Sequence, residues 1–147
     1  MKLVSACLIG INCTYKGDNN KNYKLLKEFL RGNLFPICPE VLAGLSIPRE
    51  PAEIVNGTGL DVLKNKAKVI NNKGEDITKR FIEGANLVLK IAKALKVKTA
   101  ILKSKSPSCG CGQIYDGSFS KKLIKGDGVT TALLKLNNIE IINEDEI

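Results

Sequence analysis

Apolar residues in this chain fall into short blocks separated by polar, glycine-bearing stretches, and the blocks alternate between strand-like and helix-like spacing. Residues 2–9, KLVSACLI, read as a first strand, with Gly10 opening a loop through Asn12, Cys13, Tyr15, Lys16, Gly17 and Asp18. Asn19 and Asn20 offer caps for a helix from Lys21 to Arg31, in which Tyr23, Leu26, Phe29 and Leu30 share a face, and Gly32 ends it. Leu34 to Cys38 is a second strand, stopped by Pro39, which has no amide for a ladder. Val41 to Ser46 has room for one helical turn. In residues 47–53, IPREPAE, two prolines impose an extended path that holds Arg49, Glu50 and Glu53 near the preceding loop; a surface connector with solvated charges is the alternative. Residues 60–71 alternate weakly about Asn65 and read as two short strands or a hairpin.

The longest helix begins at Asp76 or Thr78 and runs to Leu95, with Phe81, Ala85, Val88, Leu89, Ala92 and Leu95 as its apolar stripe. Val97 to Leu102 is a third main strand, and residues 114–119 continue irregularly. Gly126, Asp127 and Gly128 precede a helix over Val129–Leu136, and Ile139 to Ile142 makes a final strand before an acidic tail. This alternation predicts a single three-layer α/β/α domain over residues 1–147. Its sheet is mainly parallel, Rossmann-like or flavodoxin-like, with a small hairpin insertion.

Composition narrows the chemistry. With 147 residues, 44% of them hydrophobic and 26% charged, the chain can bury a core without disulfide staples. The N-terminus lacks the apolar h-region of a signal peptide, and no run approaches the roughly 20 residues that span a bilayer. A cytoplasmic protein without membrane contact is expected, and five cysteines there are ligands, catalysts or buried thiols rather than disulfides. The net charge of +8 is spread along helices and loops, which reads as a solvated basic surface; a nucleic-acid partner is not expected. Histidine is absent, which removes Ser-His and Cys-His pairs, HExxH zinc sites and every imidazole acid or base.

The chemistry concentrates in Ala100–Gly117, AILKSKSPSCGCGQIYDG, where an apolar run breaks into serines, glycines and cysteines. Cys7, Cys38 and Cys109 each stand at or just past the end of a predicted parallel strand, and parallel strands deliver their carboxyl ends to one edge. Three thiolates there make a soft metal site, although small thiols are also often merely buried. Structural zinc takes four ligands, whereas a cubane iron-sulfur cluster on three thiolates leaves one iron open. Cys13 is the alternative fourth ligand; Cys111, separated from Cys109 by a single residue that strains binding of both to one metal, reads as a loop thiol.

VSACLIGINCTYKG, PICPEVLAGLSIPREPAEI and LKSKSPSCGCGQIYDGSF, followed by GDGVTTALL, resemble the thiouracil desulfurase family over nearly the whole chain. The resemblance implies a [4Fe-4S] cluster on Cys7, Cys38 and Cys109 and non-redox removal of sulfur from a thiolated pyrimidine, the open iron binding the sulfur. It implies a small thiolated base or nucleoside as substrate and iron-sulfur assembly machinery as a partner, and leaves a homodimer open. The position of Cys13 often carries another residue in relatives, and Lys16 stands where they often carry aspartate. On this reading Glu40, two residues after Cys38, activates water or protonates the leaving group, and Ser104 hydrogen-bonds substrate or water.

Each assignment has a plainer counterpart. Glu40 could cap the turn after Pro39, Ser104 a loop, and Arg49 could serve only as an ion-pair partner. Ser106, Pro107 and Ser108 read as shaping the cysteine loop, Tyr115 and Asp116 as pocket wall, core or turn, and Gly126–Gly128 as a weak phosphate-cradle signal. The rival functions are a non-catalytic zinc or iron-sulfur module and a cysteine-based sulfur carrier.

Overall fold

The computed structural model describes residues 1–147. Four strands form a parallel sheet: β1 (Lys2–Ser5), β2 (Leu34–Ile37), β5 (Thr99–Leu102) and β8 (Glu140–Asn143), in the order β2-β1-β5-β8. Side chains alternate across it, as the strand period of two requires. Leu3, Ala100 and Leu102 face α4 (Thr78–Leu95) and α5 (Val129–Leu136), packing on Val88, Ala92 and Leu134. Val4 and Ile101 face the other side, against α1 (Tyr23–Leu30) through Leu25. Leu3 and Leu102 are fully buried, each contributing about 1.5–3 kcal/mol by removal from water.

Two antiparallel ribbons sit outside the sheet. β3 (Ala52–Val55) pairs with β4 (Lys68–Asn71), and β6 (Gln113–Tyr115) with β7 (Leu123–Lys125). A third core of Ile54, Val62, Val69, Phe81, Ile114 and Val129 joins them to α3 (Gly59–Leu63), α4 and α5.

Several boundaries differ from the sequence reading. β1 stops at Ser5, and Ala6–Ile9 winds into a 3-10 turn, closed by Gly10 at φ +98, whose amide bonds back to Cys7. Asn22, rather than Asn19 or Asn20, caps α1, accepting from the amides of Lys24 and Leu25. The buried line of α1 is centred on Leu25, so Tyr23 and Leu30 are exposed. Residues 60–71 are not a local hairpin: Asp61 accepts from the amide and hydroxyl of Thr58 in a capping box that starts α3, and β4 finds its partner in the extended 52–55 segment. The irregular stretch after Ile114 contains the β6–β7 ribbon. Pro36 lies within β2, tolerated because β2 is an edge strand, and Pro39 serves as the first residue of α2 (Pro39–Leu42).

Candidate active site

A cleft of about 670 Å³ opens at the carboxyl edge of the sheet, within the range usual for small-molecule sites. The chain leaves the ends of β1 and β5 in different directions, which makes the gap between them the switch point where open α/β sheets bind ligands. Cys7 enters the cleft from the 3-10 turn after β1, Cys38 from the N-cap of α2, and Cys109 from the loop after β5. No group of three closes on one point tightly enough to share a single metal ion. All five cysteines are free thiols.

Cys13 lies in the same wall, buried between Cys7 and Cys38. It is the shared side-chain hydrogen-bond partner of Cys7 and Cys38, its one S–H serving one of them at a time, and this contact pushes its own thiol far up and pulls theirs down. For Cys7 this bond outweighs burial, with help from Asn20 and the Lys103 ammonium. For Cys38 the same bond, opposed by burial and aided by the Val41 amide, lowers the thiol to about 7. Burial pushes Cys109 the other way, despite hydrogen bonds from Ser5 and Ser108. Cys111 lies outside the cleft, beside Lys135, and its carbonyl accepts from Asn143 Nδ2 at 2.9 Å.

Glu40 occupies the first turn of α2 with its side chain only 16% exposed. Its Oε2 accepts from Arg49 Nη2 and its Oε1 from Ser108 Oγ at 3.2 Å. Arg49 also reaches the Cys13 carbonyl at 2.9 Å, while its own amide donates to Tyr15 O at 2.8 Å. The extended segment thus holds Arg49 at the site, not at a solvated surface. Glu50 pairs with Lys73, and Glu53 receives the amides of Gly117 and Phe119, bracing the β6–β7 turn.

The cysteine loop is held by hydroxyl and backbone groups. Ser106 Oγ accepts the amides of Ser108 and Cys109 at 3.1 and 3.0 Å and lies 3.0 Å from Ser108 Oγ. The first amides of α5 give Val129 N–Pro107 O at 2.8 Å and Thr130 N–Ser108 O at 2.9 Å, and Thr131 Oγ1 donates to Cys109 O at 2.8 Å. Those amides are the groups a helix N-terminus would offer an anion. The Gly126–Gly128 segment therefore cradles the cysteine loop and not a phosphate. The approach is close because Gly128 has no Cβ: one would stand 2.5 Å from Ser108 O.

Ser104 lines the cleft but is 93% shielded, and its hydroxyl donates to Glu144 Oε1 at 2.7 Å. Lys103 Nζ reaches the same carboxylate oxygen at 2.6 Å. Tyr115 is part of the wall, whereas Asp116 points away and accepts from the amide and hydroxyl of Ser118. Two participants escaped the sequence reading: Ser108, whose spacing gave no hint of contact with Glu40, and Glu144, which read as part of an acidic tail. The only signal for either was a polar residue beside an apolar strand end.

Fold and site together define an α/β protein with a thiol-lined cleft at the switch point of its sheet. The sequence profile of the 2-thiouracil desulfurase family matches residues 3–146. The chain is 48% identical over 147 residues to the uncharacterized protein YbbK of Bacillus subtilis (strain 168), covering 100% of this chain and 97% of that one. It superposes on a solved structure of the [4Fe-4S]-dependent thiouracil desulfidase TudS with a TM-score of 0.88 and 36% identity, covering 99% of this chain and 91% of that one. The chain belongs to the 2-thiouracil desulfurase family.

Proposed function

We propose that this protein hydrolyses the carbon–sulfur bond of a thiolated pyrimidine, converting thiouracil to uracil and sulfide, with a [4Fe-4S] cluster held by Cys7, Cys38 and Cys109. One observation carries the reading: three thiols from three different strand ends line one cleft together with the shielded carboxylate of Glu40. The donor set suits the cluster. It is all sulfur, and Cys7, Cys38 and Cys109 reach one cleft from three separate elements, as suits thiolates held on different irons. When bound, such a cluster supplies an iron without a protein ligand, a Lewis acid for the soft sulfur of a thiocarbonyl.

The chain's own groups account for the proton traffic. Arg49 donates to Oε2 of Glu40 and Ser108 to Oε1, so each carboxylate oxygen keeps a free lone pair for water. Glu40 takes a proton from water there as the water oxygen bonds to the carbon bearing sulfur. That proton then passes to the sulfur, which departs as hydrosulfide, while the hydroxyl left on the carbon returns its remaining proton to Glu40 as it becomes the carbonyl. One C–S double bond is exchanged for C–O, one water is consumed, and no electron changes hands. Ser104, which lines the same cleft, contacts the pyrimidine ring. Cys13, which contacts two of the three thiols, steadies them as a neighbour.

The test is anaerobic reconstitution followed by assay of sulfide from 2-thiouracil or 4-thiouracil. About four irons and four sulfides per chain are expected, with sulfide release. Serine at Cys7, Cys38 or Cys109 should abolish iron binding, serine at Cys111 should not, and Glu40→Gln should keep the iron and lose turnover. Equal iron in the three serine variants and the parent would overturn the ligand assignment.

A further inference from the structure

Glu144 sits in the short 3-10 turn at Glu144–Glu146, far from the cleft in sequence, yet its Oε1 gathers three donors from one place. They are the Ser104 amide at 3.0 Å, the Ser104 hydroxyl at 2.7 Å and Lys103 Nζ at 2.6 Å. Lys103 Nζ also lies 3.3 Å from Ser104 Oγ. A serine hydroxyl owns one proton and two lone pairs. Here the proton is directed at the carboxylate and one lone pair faces the ammonium, so what remains for the cleft is a single acceptor.

We infer that Glu144 is a positioning residue that locks Ser104 as a hydrogen-bond acceptor for a ring N–H of the substrate. The inference rests on the thiopyrimidine reading above. An unrestrained hydroxyl is indiscriminate, because it can donate to a carbonyl or thiocarbonyl as well as accept from N–H. A locked one recognises only the N–H that a thiolactam ring carries next to its thiocarbonyl, and leaves the sulfur unengaged by Ser104. The lock is maintained at neutral pH: burial disfavours the charge on Glu144, but the bonds from Lys103 and Ser104 together hold its carboxyl below the ordinary range. The Lys103 amide, bound to Ser5 Oγ at 2.9 Å, fixes the other end of this dipeptide to β1.

The experiment compares thiouracil with its analogue methylated at the ring nitrogen beside the thiocarbonyl, using reconstituted parent, Glu144→Ala, Ser104→Ala and the double variant. The parent should prefer the unmethylated ring, and Glu144→Ala should reduce that preference about tenfold, mainly through KM. In the Ser104→Ala background, Glu144→Ala should change the preference no further, since it acts through the hydroxyl. Glu144→Gln, which keeps an acceptor oxygen, should restore most of it. Independently of turnover, calorimetric titration of cluster-free protein with uracil should show about tenfold weaker binding in Glu144→Ala. A preference untouched by Glu144→Ala, or effects of the two alanines that multiply, would overturn the inference. A parent that releases no sulfide but binds uracil in a Glu144-dependent way would sink the desulfurase reading and keep this one; a parent that does neither sinks both.

Discussion

Replacing Gly128 by alanine tests the idea that α5 is the clamp of the cysteine loop. Gly128 has φ −69, so alanine meets no backbone strain and the whole effect is steric. Its Cβ would lie 2.5 Å from both the carbonyl carbon and the oxygen of Ser108, and 2.7 Å from Pro107 O, where ordinary contact begins at 3.4 Å. The obstruction is backbone on both sides, so the loop must retreat by about 1 Å. That retreat stretches Val129 N–Pro107 O and Thr130 N–Ser108 O, now 2.8 and 2.9 Å. Overpacking costs about 1–3 kcal/mol and the two weakened hydrogen bonds together about 1 kcal/mol, which totals about 2–4 kcal/mol. Alanine at an N-cap offers no gain against this. At about 4 °C per kcal/mol, thermal unfolding should fall by about 8–16 °C. Turnover should suffer more than stability, by about 100-fold at temperatures where the variant is folded, because Ser108 and Cys109 move with the loop. The assays are urea and thermal denaturation, iron content, and sulfide release at saturating substrate. A variant with unchanged unfolding, iron and turnover would refute the clamp.

Three further outcomes follow from named contacts. Arg49→Met leaves Glu40 charged in a site where the two side chains are 10% and 16% exposed, so unfolding free energy measured in urea should fall by about 3–5 kcal/mol. Arg49→Lys, which keeps the charge but not the fork that also reaches Cys13 O, should recover only part of it. The depressed carboxyl of Glu144 contributes stability that is present above its ordinary value of 4.5 and lost as pH falls through the folded-state value. The stability gap between parent and Glu144→Gln, about 1–3 kcal/mol at pH 7, should therefore close as the pH is taken below 4.5 and through the lower folded-state value in urea titrations. Asp61→Ala removes the capping box of α3 and should lower the thermal unfolding midpoint without altering iron content.

How much of this was legible in the residues follows a physical line. Strand cores and the long helices depend on local periodicity, so β2, β5, α4 and α5 lie close to where the apolar pattern puts them. The 3-10 turn after Ser5 was hidden because its residues, Ala6 to Ile9, are all buried and read as strand. The β3–β4 ribbon was hidden because its partners are separated by α3, and pairing across such a gap leaves no local signature.

The sequence by itself determined which chemistry is available: no imidazole, five thiols, and carboxylates and serines next to apolar strand ends. It also placed Cys7, Cys38 and Cys109 at or beyond the ends of apolar strand-like runs, because such runs are local properties, and the strand–helix alternation made a parallel arrangement the expectation. Only the tertiary structure decided what surrounds them. Glu40 meets Ser108 across 68 residues and Arg49 across nine, and Ser104 meets Glu144 across 40. Hydrogen bonds of that kind are short-ranged and directional, so they exist only once packing of the sheet against α4 and α5 has brought the backbone to the right place. The same holds for Gly128, whose missing side chain matters because of what stands 2.5 Å away.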